Sequence, residues 1–247
     1  MTLPNRTALE DYVAAVESAE APSELWSLTI AYFASQRIDM VSYHHLPPVG
    51  ADDQGQVLVV AEGFPPEWVG IYTQRRLYQV DPIPAFAKTA TRPARWSEIL
   101  AEMQLGPEER EYLAEARAYI HCDGLAVQVF GPAGRNGYFG LGFGADPTEH
   151  PPEQVREMQW VCQLGHLRYC EMLNEIRPNV VELSRRENEV LEWVARGKSN
   201  MDIATILGVS VHTVDAYLRR VFLKLGTSDR VTAAIRGLGS GLIHGEV

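Results

Sequence analysis

Residues 184–225 read SRRENEVLEWVARGKSNMDIATILGVSVHTVDAYLRRVFLKL and predict three short consecutive helices. Ser184 opens a Ser-x-x-Glu capping box, in which two side chains satisfy free N–H groups at a helix start. Gly208-Val209 predicts a tight turn, and Ser210 can cap the helix Val211–Leu225. Two helices joined by a short turn that contains glycine form a helix–turn–helix, whose second helix can enter a major groove. Because a fourth apolar stripe follows, we expect an all-α C-terminal domain of four helices.

The side chains of the predicted helix Val211–Leu225 separate by face. Val214, Leu218 and Val221 recur at helical spacing and can form a buried stripe. From periodicity alone, an ordinary helical bundle with a solvated charged face remains the alternative to DNA binding. The polar side chains that point mostly elsewhere, and are therefore free to meet DNA, are His212, Asp215, Arg219 and Arg220.

Charge is unevenly distributed along the chain. The net charge is −10 overall, about +1 for the residues from Asn179 onward and −11 for the first 178 residues. This asymmetry suggests two domains with different partners. An acidic N-terminal part will not bind nucleic acid on its own, because phosphate contacts need clustered cations. The plainer alternative is that the acidic residues keep the larger domain soluble.

The first part of the chain mixes helix and strand patterns. Apolar spacing predicts helices over the first ~37 residues and a long helix at Glu153–Ile176. The turn-rich GPAGRNG stretch between two β-rich runs suggests an antiparallel hairpin. We expect an α+β chain in which helices pack on a mostly antiparallel sheet. The predicted strands are Met40–His45, Gln56–Ala61, Leu125–Phe130 and Tyr138–Phe143.

A short Arg177-Pro178-Asn179 stretch ends the long helix and predicts a linker. We therefore predict a first domain over residues 1–174, a linker over 175–182 and a second domain over 183–247.

No apolar run approaches the ~20 residues that span a bilayer, and the acidic start does not resemble a secretion signal. The three cysteines fit neither a disulfide framework nor a zinc site. We expect a cytoplasmic protein with no membrane partner, no metal and no cofactor.

The C-terminal segment closely resembles the DNA-binding domain of LuxR-type regulators over its full length. The resemblance implies that Arg219 contacts bases or phosphates of double-stranded promoter DNA, and that Ser210, Thr213, Arg220 and Lys224 mainly contact phosphates, which carry no sequence information. Asp215 is a departure, since many relatives have a basic or amide residue there and an acid could only accept from a cytosine amino group. The matching residues are Leu183-Ser184, Arg186-Glu187, Glu189-Val190-Leu191, Gly197-Lys198-Ser199, Ile203-Ala204, Leu207, Ser210, Thr213-Val214, Lys224-Leu225, Arg230 and Gly241-Leu242-Ile243.

The N-terminal part is similar to the quorum-sensing members of the same family. These members bind N-acyl-homoserine lactones in a pocket of an α/β/α sandwich, so the resemblance implies that fold, a central antiparallel sheet and that effector. Outside the matching residues the similarity is loose. The residues that reproduce the spacing of the family's pocket are Trp68, Tyr72, Asp81-Pro82, Trp96 and Gly124.

The chemistry of these residues suits an acylated lactone. The indole of Trp68 is only a donor, which fits a carbonyl, and an ionised Asp81 is only an acceptor, which fits an N–H. By resemblance, Trp68 binds the lactone carbonyl, Asp81 binds the amide N–H, Tyr72 lines or closes the pocket and Trp96 packs over the ring. Pro82 and Gly124 have structural roles in the ligand-binding domain. The plain alternatives are core aromatic residues and, for Asp81, a helix cap.

Some positions depart from the family pattern. Phe64 replaces a Tyr whose hydroxyl meets the acyl carbonyl in several relatives, and Ala126 and Phe143 replace pocket Ser or Thr residues. Fewer hydroxyls imply a more apolar pocket, and we expect a medium-to-long acyl chain. Alternating glycines on the last strand could make space for that chain, but we favour close packing against them. These glycines are Gly140, Gly142 and Gly144.

Two apolar stripes can be core, subunit contact or both. One lies on the Glu153–Ile176 helix and the other on the last helix, and by resemblance we predict a homodimer that uses both. A dimer matches a palindromic operator, and the same resemblance implies contact with RNA polymerase. The stripe residues are Met158, Trp160, Leu164 and Leu167, then Val231, Ala234, Ile235 and Leu238.

Three alternatives stay open. A two-component response regulator with the same DNA-binding domain would need regular βα crossovers, which the predicted hairpins do not match. A lactonase or esterase would need a nucleophile elbow or paired metal-binding histidines, and the sequence has no Gly-x-Ser-x-Gly motif. Adjacent His44-His45 would point to opposite faces of a strand. We therefore assign no catalytic residue. The third alternative is a receptor of the same fold that answers to a different small molecule.

Overall fold

The structure is a computed structural model that describes residues 6–51, 53–54, 58–143, 150–176 and 181–244. The chain forms two compact units. The first comprises Met1–Leu46, Leu58–Gly131 and Asn136–Asn174, and the second comprises Pro47–Val57, Pro132–Arg135 and Glu175–Val247.

The predicted linker is only partly described. The long helix extends to Ile176, so the first two residues of the predicted linker are helical. The Arg177-Pro178-Asn179 stretch that was expected to end the helix lies outside the described residues, as do Gly144 and residues 56–57 of the predicted strand Gln56–Ala61.

A five-stranded antiparallel sheet forms the centre of the first unit, in the order β2-β1-β5-β4-β3. The predicted hairpin is present as β4 and β5, which pair along their length because a short turn-rich segment joins them. The strands are β1 Ile38–Leu46, β2 Val59–Glu62, β3 Ala94–Arg95, β4 Gly124–Val129 and β5 Asn136–Phe143.

Helices cover both faces of this sheet. The three longest, which include the predicted N-terminal pair, are α1 Arg6–Ser18, α2 Pro22–Ser35 and α7 Pro152–Ile176. Shorter helices, most of which begin at proline because it fits the first helical turn, are α3 Pro66–Gln74, α4 Pro82–Ala87, α5 Trp96–Glu102 and α6 Pro107–Ala116.

Strand alternation separates the two packing layers. On β5, Phe139, Leu141 and Phe143 belong to one core with residues of α1, α2 and α7, among them the fully buried Phe33 and Met158. The intervening residues of β5 face the other layer. The α+β class, with a sheet between helical layers, is confirmed.

Glycines on this second face allow an aromatic ring to lie on the sheet. A Cβ on Gly124 would lie 2.7 Å from two ring carbons of Trp96, and a Cβ on Gly140 or Gly142 would lie 3.5 Å from the same ring. The expected close packing is therefore made by the Trp96 side chain, at the start of α5. Neither α5 nor the two-residue strand before it was predicted, because the sequence between Thr89 and Gly106 has no clear periodicity.

The second unit contains the predicted four helices, which are α8 Arg185–Ala195, α9 Asn200–Leu207, α10 Val211–Leu225 and α11 Arg230–Gly239. The capping box at Ser184 is formed, and Ser210 caps α10 by accepting from the N–H of Thr213. Val214 and Leu218 are buried as the helical stripe predicted, together with Val190 and Ile203 from α8 and α9. The helix–turn–helix is confirmed as a fold.

Candidate functional sites

A cavity of about 280 Å³ lies in the first unit, between the sheet face that carries the glycines and helices α3 to α6. Its wall is mainly apolar and aromatic, which is typical of small-molecule sites. The residues that line it are Ser42, His44, Val59, Ala61, Phe64, Trp68, Val69, Tyr72, Asp81, Ile83, Trp96, Ser97, Leu100, Tyr112, Leu113, Ala116, Arg117, Ile120, Cys122, Asp123 and Tyr138.

Asp81 is the carboxylate at the centre of the polar contacts in this cavity. Its Oδ1 accepts from the backbone N–H of Ile83 at 2.9 Å and so caps α4. Its Oδ2 accepts from the hydroxyls of Tyr72 at 2.9 Å and Tyr112 at 2.8 Å. The cap that sequence reasoning offered as an alternative to ligand binding is therefore present, but it occupies only one carboxylate oxygen.

Burial raises the pKa of Asp81 to about 6, although the bonds from Ile83, Tyr112 and Tyr72 act in the opposite direction. Burial and the neighbouring carboxylate also raise the pKa values of Tyr72 and Tyr112 well above their usual range. Both tyrosines therefore stay protonated as donors. At neutral pH Asp81 is mostly ionised and holds a negative charge in an apolar wall, which favours a donor from a ligand.

Trp68 lies on α3 within an aromatic cluster beside Asp81. Its ring stacks on Tyr119 with centroids 5.2 Å apart, and its centroid lies 6.1 Å from that of Tyr72 and 6.0 Å from that of Tyr112. The side chain is buried and lines the cavity. The same two tyrosines that bond Asp81 thus also pack beside Trp68, so the predicted donor and acceptor belong to one site.

Of the seven residues predicted to bind ligand, five line this cavity: Phe64, Trp68, Tyr72, Asp81 and Trp96. Phe143 does not. It lies in the core with α1, α2 and α7, on the opposite face of the sheet, and stacks on His150 with ring centroids 4.9 Å apart. The physical reason is strand alternation, since Phe143 is one residue beyond Gly142, which faces the cavity layer. The structure therefore corrects its placement.

Ala126 is also absent from the cavity wall. It lies on the correct face of β4, paired with Gly140, but packs with Ile83, Ala87 and Ile99. Pro82 and Gly124, which were predicted to have structural roles, each lie at the start of an element. Pro82 is the first residue of α4, and Gly124 begins β4 beneath the Trp96 ring.

Several polar cavity residues were not predicted. Beside Ser97, Arg117 and Asp123, they include Ser42, His44, Tyr112 and Tyr138. The signal for the strand residues was available, because alternation on β1 and β5 places Ser42, His44 and Tyr138 on the face of the glycines. Tyr112 gave no such signal, since a tyrosine in an amphipathic helix is usually a core residue.

In the second unit, the outward face of α10 carries exposed His212, Arg219 and Arg220. Arg220 lies over the ring of Tyr217, 5.8 Å from its centroid. Thr213 and Ser210 bond to each other through their hydroxyls at 2.8 Å. Lys198, which sequence reasoning did not single out for DNA contact, is also exposed and precedes α9.

Two predicted DNA-contacting residues have partners within the protein. The Nζ of Lys224 donates to Oε2 of buried Glu187 at 2.7 Å and to the carbonyl of Glu182 at 2.9 Å. Asp215 accepts from the side-chain amide of Asn200 at 2.5 Å and links α9 to α10. Lys224 is therefore exposed but paired with a carboxylate of its own unit, and the unusual acid at 215 forms an interhelical bond.

Comparison with known proteins identifies both units. Residues 21–169 match the family model "Autoinducer binding domain", and residues 181–236 match "Bacterial regulatory proteins, luxR family". The quorum sensing-dependent transcriptional regulator RpaR of Rhodopseudomonas palustris is 30% identical over 97% of this chain and 96% of its own. The transcriptional activator protein AnoR of Acinetobacter nosocomialis is 26% identical over 95% and 98% of the two chains.

A crystal structure of Escherichia coli SdiA shares the fold, with a TM-score of 0.76 at 20% identity over 96% of this chain and 98% of that one. None of the described helices combines the length and the hydropathy of a membrane-spanning segment, and the described residues contain no group of three or more His, Cys, Asp or Glu placed to hold a metal ion. The chain belongs to the LuxR family, as an autoinducer-responsive transcriptional regulator and not an enzyme.

Proposed function

We propose that an N-acyl-homoserine lactone is the effector, bound with its lactone carbonyl at Trp68 and its amide N–H at Asp81. The observation that carries this proposal is that a donor-only indole and an acceptor-only carboxylate line one apolar cavity. Both groups would be costly to bury without partners, and this head group supplies a complementary atom to each.

The bonding of Asp81 supports a single further donor. A carboxylate offers about four acceptor positions, and Ile83, Tyr72 and Tyr112 occupy three of them. One remains for the amide N–H of the ligand. The two tyrosines hold the carboxylate in place, so that little side-chain freedom is lost when the ligand binds.

The proposed response of the protein to ligand follows from linkage. A ligand that binds only the folded state stabilises it by about 2.7 kcal/mol when its concentration is a hundred times the Kd. We propose that the liganded chain forms a homodimer, binds promoter DNA and contacts RNA polymerase there. Exposed stripe residues such as Trp160 on α7 and Val231 on α11 provide apolar surface for the dimer.

For the DNA interface we propose that α10 enters the major groove, with Arg219 at bases or phosphates. Ser210, Thr213, Arg220 and exposed Lys198 would contact phosphates, which fix position without reading sequence. His212 shares the outward face of α10 and is the second candidate for a base contact. We propose no phosphate contact for Lys224, because Glu187 already neutralises it.

Expression of the full chain with a panel of acyl-homoserine lactones tests the effector. Mass spectrometry identifies what co-purifies, and thermal unfolding with and without added ligand measures stabilisation. We expect one lactone to be retained intact at about one molecule per chain and to raise the Tm. Retention of a different molecule, with no response to any lactone, would overturn the proposal.

A further inference from the structure

The carboxylate of Asp215, on α10, is held by a side chain of the neighbouring helix. Its Oδ1 accepts from Nδ2 of Asn200, the first residue of α9, at 2.5 Å. Oδ1 of Asn200 is buried and has no partner among the described residues, so the amide contacts Asp215 through its nitrogen. This bond restricts rotation of the Asp215 side chain, and its second oxygen, Oδ2, therefore has a nearly fixed position.

The second oxygen of Asp215 is available to a partner from outside the chain. In the part of the chain that the structure describes, Oδ2 accepts no hydrogen bond and Asp215 forms no ion pair. The side chain is half-buried, so solvent or a ligand can reach it. An ionised carboxylate is only an acceptor, and a partner for Oδ2 must therefore donate a hydrogen bond.

The charge of Asp215 is not needed to join α9 to α10. Apolar side chains already pack these helices together, among them the fully buried Ile203 and Val214. A neutral side chain could accept from Asn200 equally well. In a DNA-binding unit the negative charge has a cost, because it repels the phosphates that supply most of the non-specific affinity. An acid at this place is therefore a disadvantage unless a donor group on the DNA bonds to it.

Asp215 lies in the part of α10 that is expected to meet base edges. It is the fifth residue of the helix, which begins at Val211, and the exposed Arg219 follows one helical turn later. Residues in the N-terminal part of a recognition helix contact bases in the major groove. Two bases present donors there, cytosine through N4 and adenine through N6, but adenine places the acceptor N7 beside its donor. That acceptor would repel a carboxylate, so cytosine is the base that matches.

We propose that Asn200 and Asp215 act together to read a cytosine in each operator half-site. The inference rests on the proposed entry of α10 into the major groove, and it assigns a base to a residue to which that proposal gives no contact. Oδ2 of Asp215 accepts from the N4 amino group of the cytosine. Asn200 is a positioning residue, which contacts Asp215 and not the DNA. Where this amino group is absent, the same carboxylate only repels phosphates, so it lowers the affinity for unrelated sequences.

Selection from random duplexes by the full chain, purified after expression with the lactone panel, tests this proposal. We expect one cytosine per half-site whose replacement by any other base weakens binding about tenfold or more. Asp215→Ala should reduce that penalty to about twofold, keep the preferences at other positions and bind random duplexes more tightly at fixed salt. Asp215→Asn should instead prefer adenine at this position, because an amide can bond both N6 and N7.

Two further variants separate base reading from a structural role. Asn200→Ala should weaken the cytosine preference several-fold, whereas Arg219→Ala should weaken binding but keep that preference. If Asp215→Ala does not fold, Asp215→Asn keeps an oxygen for Asn200 and still makes the test. An unchanged cytosine preference in the Asp215 variants, or an equal loss of affinity for all duplexes, would overturn this inference but leave DNA binding by α10 intact. A wild-type chain that prefers no duplex over random sequence would overturn both.

Discussion

The two units each bury a carboxylate that accepts from neighbouring groups, yet the pKa of one is raised and that of the other is lowered. Asp81 is held by Ile83, Tyr72 and Tyr112, which are neutral donors, and burial raises its pKa to about 6. Burial alone would also raise the pKa of Glu187, but hydrogen bonds from Lys224 and from Ser184 lower it overall.

The difference between them separates a structural carboxylate from one that is open to a ligand. Glu187 forms an ion pair with Lys224, so loss of that lysine would leave a buried charge without a partner, and the carboxylate has little capacity left for an external ligand. Asp81 forms no ion pair with any described residue and lines a cavity, which is the arrangement expected where a ligand completes the contacts. The following predictions test this distinction.

The largest expected effect is the loss of ligand response in Asp81→Asn. Asparagine keeps an oxygen that can cap α4, so the unliganded protein should fold. Its amide cannot accept both tyrosine hydroxyls and a ligand N–H. Thermal unfolding at a ligand concentration one hundred times the wild-type Kd should therefore lose most of the ~2.7 kcal/mol of stabilisation. An unchanged Tm shift in the variant would show that Asp81 does not hold the ligand.

Lys224→Met should destabilise the second unit by about 2 kcal/mol, because it leaves Glu187 buried without its cation and Lys224 itself is partly exposed. Chemical denaturation of the full chain measures the change. Arg186→Met, which breaks the exposed pair with Glu189, is the matched control and should cost about 0.5 kcal/mol or less. Equal costs for the two variants would contradict a structural role for the Lys224–Glu187 pair.

Arg219→Ala should weaken operator binding about tenfold, or roughly 1.4 kcal/mol, while ligand-dependent stabilisation stays at the wild-type value. Fluorescence anisotropy at fixed salt measures the affinity, with an operator selected from random duplexes. In contrast to Lys224→Met, this variant should unfold at the wild-type denaturant concentration. Loss of ligand binding in Arg219→Ala would contradict the division of labour between the two units.

The smallest effect is a pH dependence of ligand affinity. The amide N–H of the ligand bonds to the ionised form of Asp81, whose pKa is about 6 without ligand. Lowering the pH from 8 to 6 should therefore weaken binding about twofold, with a steeper loss below pH 6. The unliganded protein should behave oppositely, since a raised folded-state pKa means that Asp81 favours folding less as pH rises from 4 to 6. The Asp81→Asn variant should lack the part of the stability change between pH 4 and 6 that Asp81 contributes.

Much of the fold could be predicted because its signals are local. The capping box at Ser184, the glycine turn at 208 and the apolar stripe of α10 each lie within one or two helical turns, and all three are present. The same holds for the hairpin of β4 and β5. In the cavity, Trp68, Tyr72 and Asp81 were identified because their spacing matches that of the family's pocket residues. The match itself implies that the three side chains lie in one pocket.

What the sequence did not reveal has two sources, which are contacts between distant parts of the chain and the face of the sheet that a strand residue occupies. The ion pair between exposed Lys224 and Glu187, 37 residues away, could not be predicted from local spacing. Phe143 was assigned to the cavity although Gly142, the residue before it on β5, faces the cavity layer, so that strand alternation places Phe143 on the opposite face. Tyr112 could not be predicted at all, because its hydroxyl becomes functional only where α6 reaches Asp81.

A crystal structure of the chain with its co-purified lactone tests the central claim most directly. The account predicts that the amide nitrogen of the ligand lies within 3.2 Å of an Asp81 carboxylate oxygen and that the lactone carbonyl lies within hydrogen-bonding distance of the Trp68 indole N–H. A head group bound elsewhere in the cavity, with Asp81 bonded only to Ile83, Tyr72 and Tyr112, would contradict it.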